Sequence, residues 1–208
     1  MQHSDHIIID GPTSADRTLI LAHGAGSGKD HAFLQYFAEN LASRGIRVVR
    51  FDFPYMIKAR AAGKRRPPDR QPVLIQAWQE IIDQFKGKNL IIGGKSLGGR
   101  IASMIADGTG VDGLVCLGYP FHAPGKPDKP RIEHLGDLRT PTLICQGTRD
   151  PFGREDEVQA YPLSKNIKFQ WLEDGEHSFK PRKSSGLTVA KNLETAARAI
   201  EIFADSLA

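Results

Sequence analysis

The sequence has few of the features that are typical of a membrane protein, a secreted protein or a metalloprotein. Its 208 residues include only two cysteines, Cys116 and Cys145, and each lies in an apolar run without C-x-x-C spacing. This arrangement favours two reduced core thiols over a disulfide, a metal site or a nucleophile. No signal peptide, membrane span or cluster of metal ligands can be recognised. We therefore expect a cytoplasmic protein that uses neither a metal nor a membrane.

Excess charge is also scarce outside one segment. The formal net charge is +4, and between Lys58 and Arg70 six basic residues stand against one acid, so this segment alone carries +5. Paired prolines and the lack of apolar periodicity predict that residues 58–72 form a loop or mobile lid. The segment is interpreted as a solvated surface, a lid that attracts an anionic substrate, or a contact for a protein partner through residues 58–70. The lack of interleaved aromatic residues argues against nucleic-acid binding.

The sequence is rich instead in alternating strand-like and helix-like stretches. Hydrophobic residues make up 40% of the chain and charged residues 25%, which is ordinary for one globular domain with a sizeable core. Helical stripes of apolar residues alternate with apolar runs typical of buried strands at 18–22, 46–53, 89–93, 113–118, 141–147 and 166–172. This alternation predicts a single α/β domain over residues 1–208, with a doubly wound, mostly parallel sheet.

The most informative stretch runs from Asn89 to Ala102. An apolar run leads into Gly94-Lys95-Ser96-Leu97-Gly98, and small and apolar residues typical of a helix follow. This is the G-x-S-x-G pattern in the strand–turn–helix setting of a nucleophilic serine, whose tight turn lifts the hydroxyl above the sheet. We expect Ser96 in a strained left-handed conformation, with the N–H of Leu97 facing a developing oxyanion. The alternative is that the glycines only allow close helix–strand packing.

A second glycine-rich turn, His23–Gly28, follows an earlier apolar run. Its glycine spacing fits neither a dinucleotide-binding fingerprint nor a phosphate-binding P-loop, so no cofactor is expected. With a nucleophilic serine downstream, we interpret the turn as half of an oxyanion hole, with the N–H of Ala25 as the second donor. His23 is expected to hold the turn through local hydrogen bonds, and the alternative role for it is that of a catalytic base.

Two further residues complete a candidate catalytic site. A serine hydroxyl needs a base, and the base needs an acid that fixes its tautomer. Asp150 and His177 each follow a predicted strand, and the chain order Ser96, Asp150, His177 is that of α/β hydrolases. We expect His177 to take the proton of Ser96 and Asp150 to stabilise the imidazolium. The rival acids, which are less well placed, are Asp52, Asp112 and Asp174.

Aromatic side chains and two cations are the candidates for substrate contact. Lys95 and Arg100 either point away and pair with acids or backbone carbonyls, or hold a substrate carboxylate or phosphate. His122 is a candidate for the pocket border, whereas the surface is expected for His3, His6, His31 and His134. Loops at the C-terminal strand ends supply the aromatic residues expected as pocket walls, namely Tyr55, Tyr119, Phe121 and Phe152, together with Phe53 and Phe179.

Several motifs together resemble one subfamily of α/β hydrolases. They are the stretches Leu21–Gly26, Arg50–Tyr55, Gly93–Arg100, Gly118–His122 and Gln146–Gly153. The subfamily they resemble contains testis-expressed protein 30 and the hydrolase-like region of a chromatin-complex subunit, and the chain is also similar to dienelactone hydrolases. The resemblance covers nearly the whole chain and implies a compact α/β-hydrolase fold without a large cap domain.

The same resemblance carries functional roles onto this chain. It implies a triad of Ser96, Asp150 and His177, with Ala25 and Leu97 as oxyanion donors and a serine where dienelactone hydrolases have a cysteine. The expected function is therefore that of a serine hydrolase that cleaves a small carboxylic ester, thioester or amide through an acyl-enzyme. The alternative is a hydrolase-like protein-interaction module with little or no catalytic activity, because fold alone does not decide function.

Overall fold

A seven-stranded sheet forms the frame of the molecule. The computed structural model describes residues 6–87 and 89–207; His3 lies outside these ranges. The strands are β1 (Ile7–Asp10), β2 (Thr18–Ala22), β3 (Arg47–Phe51), β4 (Leu90–Lys95), β5 (Gly113–Leu117), β6 (Thr142–Gly147) and β7 (Ile167–Leu172). They lie in the order β1-β3-β2-β4-β5-β6-β7, and β1 pairs antiparallel with β3 while the other neighbours are parallel. The predicted mostly parallel sheet is confirmed.

Helices cover both faces of this sheet. They are α1 (Ala32–Ser43), α2 (Pro54–Ala62), α3 (Gln71–Gln84), α4 (Leu97–Thr109), the short α5 (Glu155–Val158) and α6 (Val189–Asp205), with a 3-10 turn at Lys183–Ser185. Alternate residues of the buried strands face opposite sides, so Ile20 packs with α3 and α4 while Leu19 packs with α1 and α6. The sheet therefore separates two apolar cores. None of the helices in the described ranges has the length and apolarity needed to cross a membrane.

The prediction of a loop over residues 58–72 is wrong at both ends. Residues 58–62 form the second half of α2, which ends at Gly63 in a left-handed conformation, and α3 begins at Gln71. Only residues 63–70 connect the two helices. Pro54 explains the error, because a proline that cannot continue a strand is also well suited to the first turn of a helix, where its missing N–H is not needed.

The N-cap of α1 is a histidine. Asp30 is the residue type expected as the N-cap, but the cap is His31, whose Nδ1 accepts a hydrogen bond from the N–H of Phe33 at 3.2 Å. Asp30 instead accepts two hydrogen bonds from the guanidinium of Arg60. His31 and His6 are both exposed, as expected.

Glycines let β4 and α4 lie unusually close to the neighbouring strands. A Cβ atom at Gly93 would overlap the carbonyl oxygen of Val115 on β5, and one at Gly98 would overlap that of Ala22 on β2. Both obstacles are backbone atoms of buried strands, which cannot move aside as a flexible side chain would. The close helix–strand packing of the alternative interpretation is thus present at Gly98, and the same glycine belongs to the serine turn.

We predict that the substitution Gly93→Ala destabilises the fold, whereas Gly108→Ala does not. The added methyl of Gly93→Ala meets the β5 backbone, and such overpacking costs about 1–3 kcal/mol or more. Gly108 lies on the exposed side of α4 with open space around it, so alanine there is expected to add up to about 1 kcal/mol through helix propensity. Urea unfolding of both variants measures the difference, and equal midpoints would contradict the packing account.

Candidate active site

Ser96 stands at the tight turn between β4 and α4. Its backbone dihedrals are φ 50° and ψ −112°, which is the left-handed strain that the motif predicts. The turn is held on both sides, because the N–H of Ser96 donates to the carbonyl of Leu117 at 3.0 Å and its own carbonyl accepts from Arg100 at 2.9 Å. The side chain is only half-buried. Its hydroxyl therefore reaches the C-terminal edge of the sheet on a rigid support.

The structure brings the three predicted triad residues together. Nε2 of His177 lies 2.9 Å from Oγ of Ser96, and Nδ1 of His177 lies 2.8 Å from Oδ2 of Asp150. Because a carboxylate accepts only, the imidazole proton belongs on Nδ1 and leaves Nε2 free to accept from the serine hydroxyl. The distances thus fit a nucleophile, a base and an acid that orients the base.

Asp150 itself is held by a residue that sequence reasoning missed. Nε2 of Gln146 donates to Oδ2 of Asp150 at 3.0 Å, and the N–H of Phe152 donates to Oδ1 at 2.9 Å. Gln146 also binds the N–H and carbonyl of Tyr119, so its fully buried amide ties β6 to the loop after β5. The available signal was a lone polar side chain near the end of the otherwise apolar run of β6.

Lys95, which immediately precedes the serine, contacts the backbone of His177. Its Nζ donates to the backbone carbonyl of His177 at 2.6 Å, so of the two sequence alternatives the backbone contact is the one observed. Burial lowers the pKa of Lys95 to about 8, against the opposing influence of the negative charges of Asp150 and Glu176. On the other side, the ring of Phe152 lies 4.3 Å from the imidazole of His177. The histidine is thereby fixed at its backbone and at its ring.

Of the two alternatives for Arg100, pairing with acids or backbone carbonyls is not observed within the described ranges, and contact with a substrate anion stays a prediction. Among the described residues it makes no ion pair, and its Nε is buried without a hydrogen-bond partner. Nothing in its surroundings explains this atom.

The turn His23–Gly28 lies beside the serine. A Cβ atom placed on Gly24 would lie 3.7 Å from Cβ of Ser96. His23 is fully buried, where its Nδ1 contacts the carbonyl of Gly24 at 2.8 Å and its Nε2 accepts from the N–H of Phe53 at 3.1 Å. Burial lowers the pKa of His23 and favours the neutral ring that both contacts require. The expected local role is therefore observed, and the ring is not beside the Ser96 hydroxyl as a base would be.

Asp52, a rival acid in the sequence interpretation, anchors this turn instead. Its buried carboxylate accepts from the N–H of Lys29 at 2.8 Å, from Nζ of Lys29 at 3.0 Å and from Nε of Arg60 at 2.8 Å. The glycine turn is thereby tied to α2. The other rivals also have structural partners, since Asp112 accepts from the N–H of Leu90 and Asp174 pairs with Arg149 and Arg182.

The prediction that Tyr119 and Phe121 line the pocket is wrong. Both side chains are fully buried, because the loop after β5 folds back over them: the hydroxyl of Tyr119 donates to the carbonyl of Arg131, whose N–H donates to the carbonyl of Phe121. Phe53 and Phe179 are core residues as well, and His122 is buried against Glu157.

Two of the aromatic candidates do lie near the site. Phe152 is half-buried, and its ring lies against the imidazole of His177. Tyr55 is buried beneath the glycine turn, and its hydroxyl donates to the carbonyls of Gly24 and Ala25 at 3.3 and 3.2 Å. It supports the turn and offers little surface to a ligand. No three metal-ligating side chains converge anywhere in residues 6–87 or 89–207.

We predict that Lys95→Met changes how stability depends on pH. The lysine pKa is about 8 in the folded chain against 10.5 for the free side chain, so between these values the unfolded chain binds more protons and the natural chain gains stability as pH rises. Methionine does not titrate. The natural chain is therefore expected to gain about 1–3 kcal/mol relative to Lys95→Met over this pH range, measured by urea unfolding.

A matched control is Lys191→Met, because Lys191 is exposed and makes no ion pair among the described residues. Its stability difference from the natural chain is expected to stay constant across the same pH range. A constant difference for Lys95→Met as well would mean that the buried ammonium is not perturbed.

Comparison with known proteins identifies the family and the fold of the chain. Residues 15–205 match the model of an alpha/beta hydrolase domain family. An alpha-beta serine hydrolase homologue from Coxiella burnetii superposes with a TM-score of 0.70 at 20% identity, covering 93% of this chain and 90% of that one. Dienelactone hydrolase from Anabaena variabilis gives 0.65 at 19% identity over 92% and 88%, and Est1E from Butyrivibrio proteoclasticus with ferulic acid bound gives 0.66 at 15% over 93% and 93%. The predicted α/β-hydrolase fold is confirmed, and the chain belongs to the alpha/beta hydrolase domain family.

Proposed function

We propose that the protein is a serine hydrolase of the carboxylesterase type, acting on a small ester, thioester or amide. The observation that carries the proposal is the continuous relay from Ser96 Oγ through His177 to Asp150, with contacts of 2.9 and 2.8 Å. Three residues distant in sequence meet at one edge of the sheet with the spacing that acyl transfer needs. No metal or cofactor has a role in this proposal.

The reaction follows from the positions of these groups. His177 Nε2 takes the hydroxyl proton while Ser96 Oγ attacks the substrate carbonyl carbon, and the carbonyl oxygen becomes an oxyanion. The N–H groups of Ala25 and Leu97 stabilise this oxyanion. His177 then returns the proton to the leaving alcohol, thiol or amine as the acyl-enzyme forms, and water repeats the sequence to release the acid. Asp150 stabilises the imidazolium in both halves.

Two finer assignments accompany this proposal. Within the family, we place the chain in the subfamily of testis-expressed protein 30 and the chromatin-complex hydrolase-like subunit, on the strength of the motifs around Ala25, Ser96 and Asp150 in the sequence. We also place it in the cytoplasm, which is supported by Cys116 and Cys145 remaining as free, buried thiols.

The chain contains a second serine–histidine contact that serves as an internal control. Oγ of Ser103 lies 2.8 Å from Nε2 of His134, as close as the pair at the candidate site. However, the Ser103 hydroxyl donates to the carbonyl of Arg100 at 2.7 Å, so towards His134 it accepts, and the imidazole cannot act on it as a base. Ser103 is also buried within α4, and no acid hydrogen-bonds His134 among the described residues.

We predict that a fluorophosphonate probe labels Ser96 and leaves Ser103 unmodified. Ser96→Ala and His177→Ala are expected to abolish labelling and to lower p-nitrophenyl ester turnover by a factor of about 10³ or more, since both belong to one catalytic unit. Ser103→Ala and His134→Ala are expected to keep both the labelling of Ser96 and the ester turnover. Mass spectrometry of the labelled peptide identifies the modified serine.

Circular dichroism establishes that each variant is folded before the comparison is made. A folded natural chain that neither reacts with the probe nor hydrolyses any ester would sink the hydrolase proposal. That result would favour the interaction module, with the basic residues of 58–70 as the contact surface. Labelling at a residue other than Ser96 would contradict the assignment of Ser96 as the nucleophile.

A further inference from the structure

A cavity of about 510 Å³ opens beside the glycine turn. One wall is the turn itself, from Ala25 to Gly28, and the other is formed by the end of α2 and the start of the connection to α3. Ala25 is the proposed oxyanion donor, and the residue before it approaches Ser96. A substrate bound at the serine therefore has this cavity within reach of one of its substituents.

The charged residues that line the cavity are not balanced. Among the described residues, Asp30 is the one acid that lines it, and both of its oxygens accept hydrogen bonds from Arg60. Arg60 is occupied a second time by the buried carboxylate of Asp52. The remaining cations, Lys64, Arg65 and Arg66, make no ion pair within the described part of the chain, and all three are exposed. The cavity rim thus carries positive charge without a counter-ion.

The acid within the basic segment does not supply that counter-ion. Asp69 makes no ion pair within the described part of the chain, and it lines a separate, smaller cavity of about 270 Å³ together with Tyr55 and Lys58. Arg66 stands between the two cavities and lines both. An anion in the larger cavity is therefore attracted by three cations and faces an acid, Asp30, that Arg60 already neutralises.

The rest of the cavity wall is small or apolar. Met56 and Ala59 of α2 line it, and Gly26 and Gly63 add no side chains. An aliphatic chain can pass along these residues on its way from the serine to the cationic rim. The lining thus combines small and apolar residues with cationic side chains.

We propose that this cavity is a substrate-specificity site for an anionic group, so that the preferred ester carries a carboxylate or phosphate at the end of a short aliphatic substituent. The inference rests on the proposed hydrolase function and adds the class of substrate to it. Arg60 holds the wall in place through Asp30 and Asp52. Lys64, Arg65 and Arg66 bind the anion.

The test compares charged and neutral esters of equal length. The charged series consists of mono-p-nitrophenyl esters of succinic, glutaric and adipic acid, and the neutral series has the far carboxylate methylated. The natural chain is expected to prefer the charged esters by about tenfold in kcat/KM, and the preference is expected to fall as salt is added. Acetyl esters of ω-hydroxy acids carry the carboxylate on the alcohol part of the ester, so they test whether the cavity binds the leaving group instead of the acyl group.

The variant Lys64→Glu/Arg65→Glu/Arg66→Glu is expected to lose this preference, because its kcat/KM falls about tenfold for the charged esters relative to the neutral ones. The matched control is Lys165→Glu/Lys168→Glu/Arg198→Glu. It makes the same change in net charge at exposed residues that make no ion pair among those described and lie away from the cavity lining. The control is expected to keep the preference. Equal kcat/KM for charged and neutral esters, or equal losses in the two variants, would overturn the inference.

A binding measurement separates failure of this inference from failure of the hydrolase proposal. Monomethyl adipate is expected to raise the melting temperature of Ser96→Ala but not that of the same chain carrying the cavity triple substitution. Inorganic phosphate competing with it would extend the site to phosphate esters. A raised melting temperature without ester turnover by the natural chain would support the anion site and contradict the hydrolase proposal. Ester turnover with no change in melting temperature and no preference for charged esters would support the hydrolase proposal and contradict the anion site.

Discussion

The candidate site depends on the close approach of β4 and α4 to the neighbouring strands. A serine with φ 50° is strained, and the strain persists only because the surroundings allow no relaxation. Gly93 and Gly98 bring backbone against backbone at Val115 and Ala22, and hydrogen bonds on both sides of Ser96 complete the constraint. A bulkier residue at either glycine would move the serine relative to a histidine that reaches it from a loop after β7.

That histidine loop is held by charge placed on both sides of it. The carboxylate of Asp150 faces the ring, and the ammonium of Lys95 faces the backbone carbonyl of the same residue. A buried lysine is costly, which its lowered pKa reflects, and its contact with the carbonyl recovers part of that cost. Lys95 is adjacent to Ser96 in the chain. Ser96 and His177 are therefore connected twice, through the contact between their side chains and through the contact of Lys95 with the carbonyl of His177.

The sheet and the serine turn could be predicted from the sequence because each depends on local pattern. Apolar runs mark buried strands, and the turn motif restricts its own geometry. The aromatic pocket walls could not be predicted, since the burial of Tyr119 and Phe121 depends on a loop, around Arg131, that returns over them. The helix at Pro54–Ala62 was missed because Pro54 was interpreted as the end of a strand and because only Tyr55 and Ala59 of the helix are buried, which leaves little apolar periodicity in the sequence.

The basic segment shows why a count of charges does not determine a role. Arg60, on α2, is occupied by Asp30 and by the buried Asp52, so it acts in the framework that fixes the glycine turn. Lys64, Arg65 and Arg66 lie beyond the helix, where no acid of the described chain pairs with them. Since Asp52 also binds Lys29, the residue after the glycine turn, one carboxylate ties the turn that holds Ala25, the proposed oxyanion donor, to the α2 wall of the cavity. Positioning of the carbonyl and selection of the anion would then depend on the same buried ion pair.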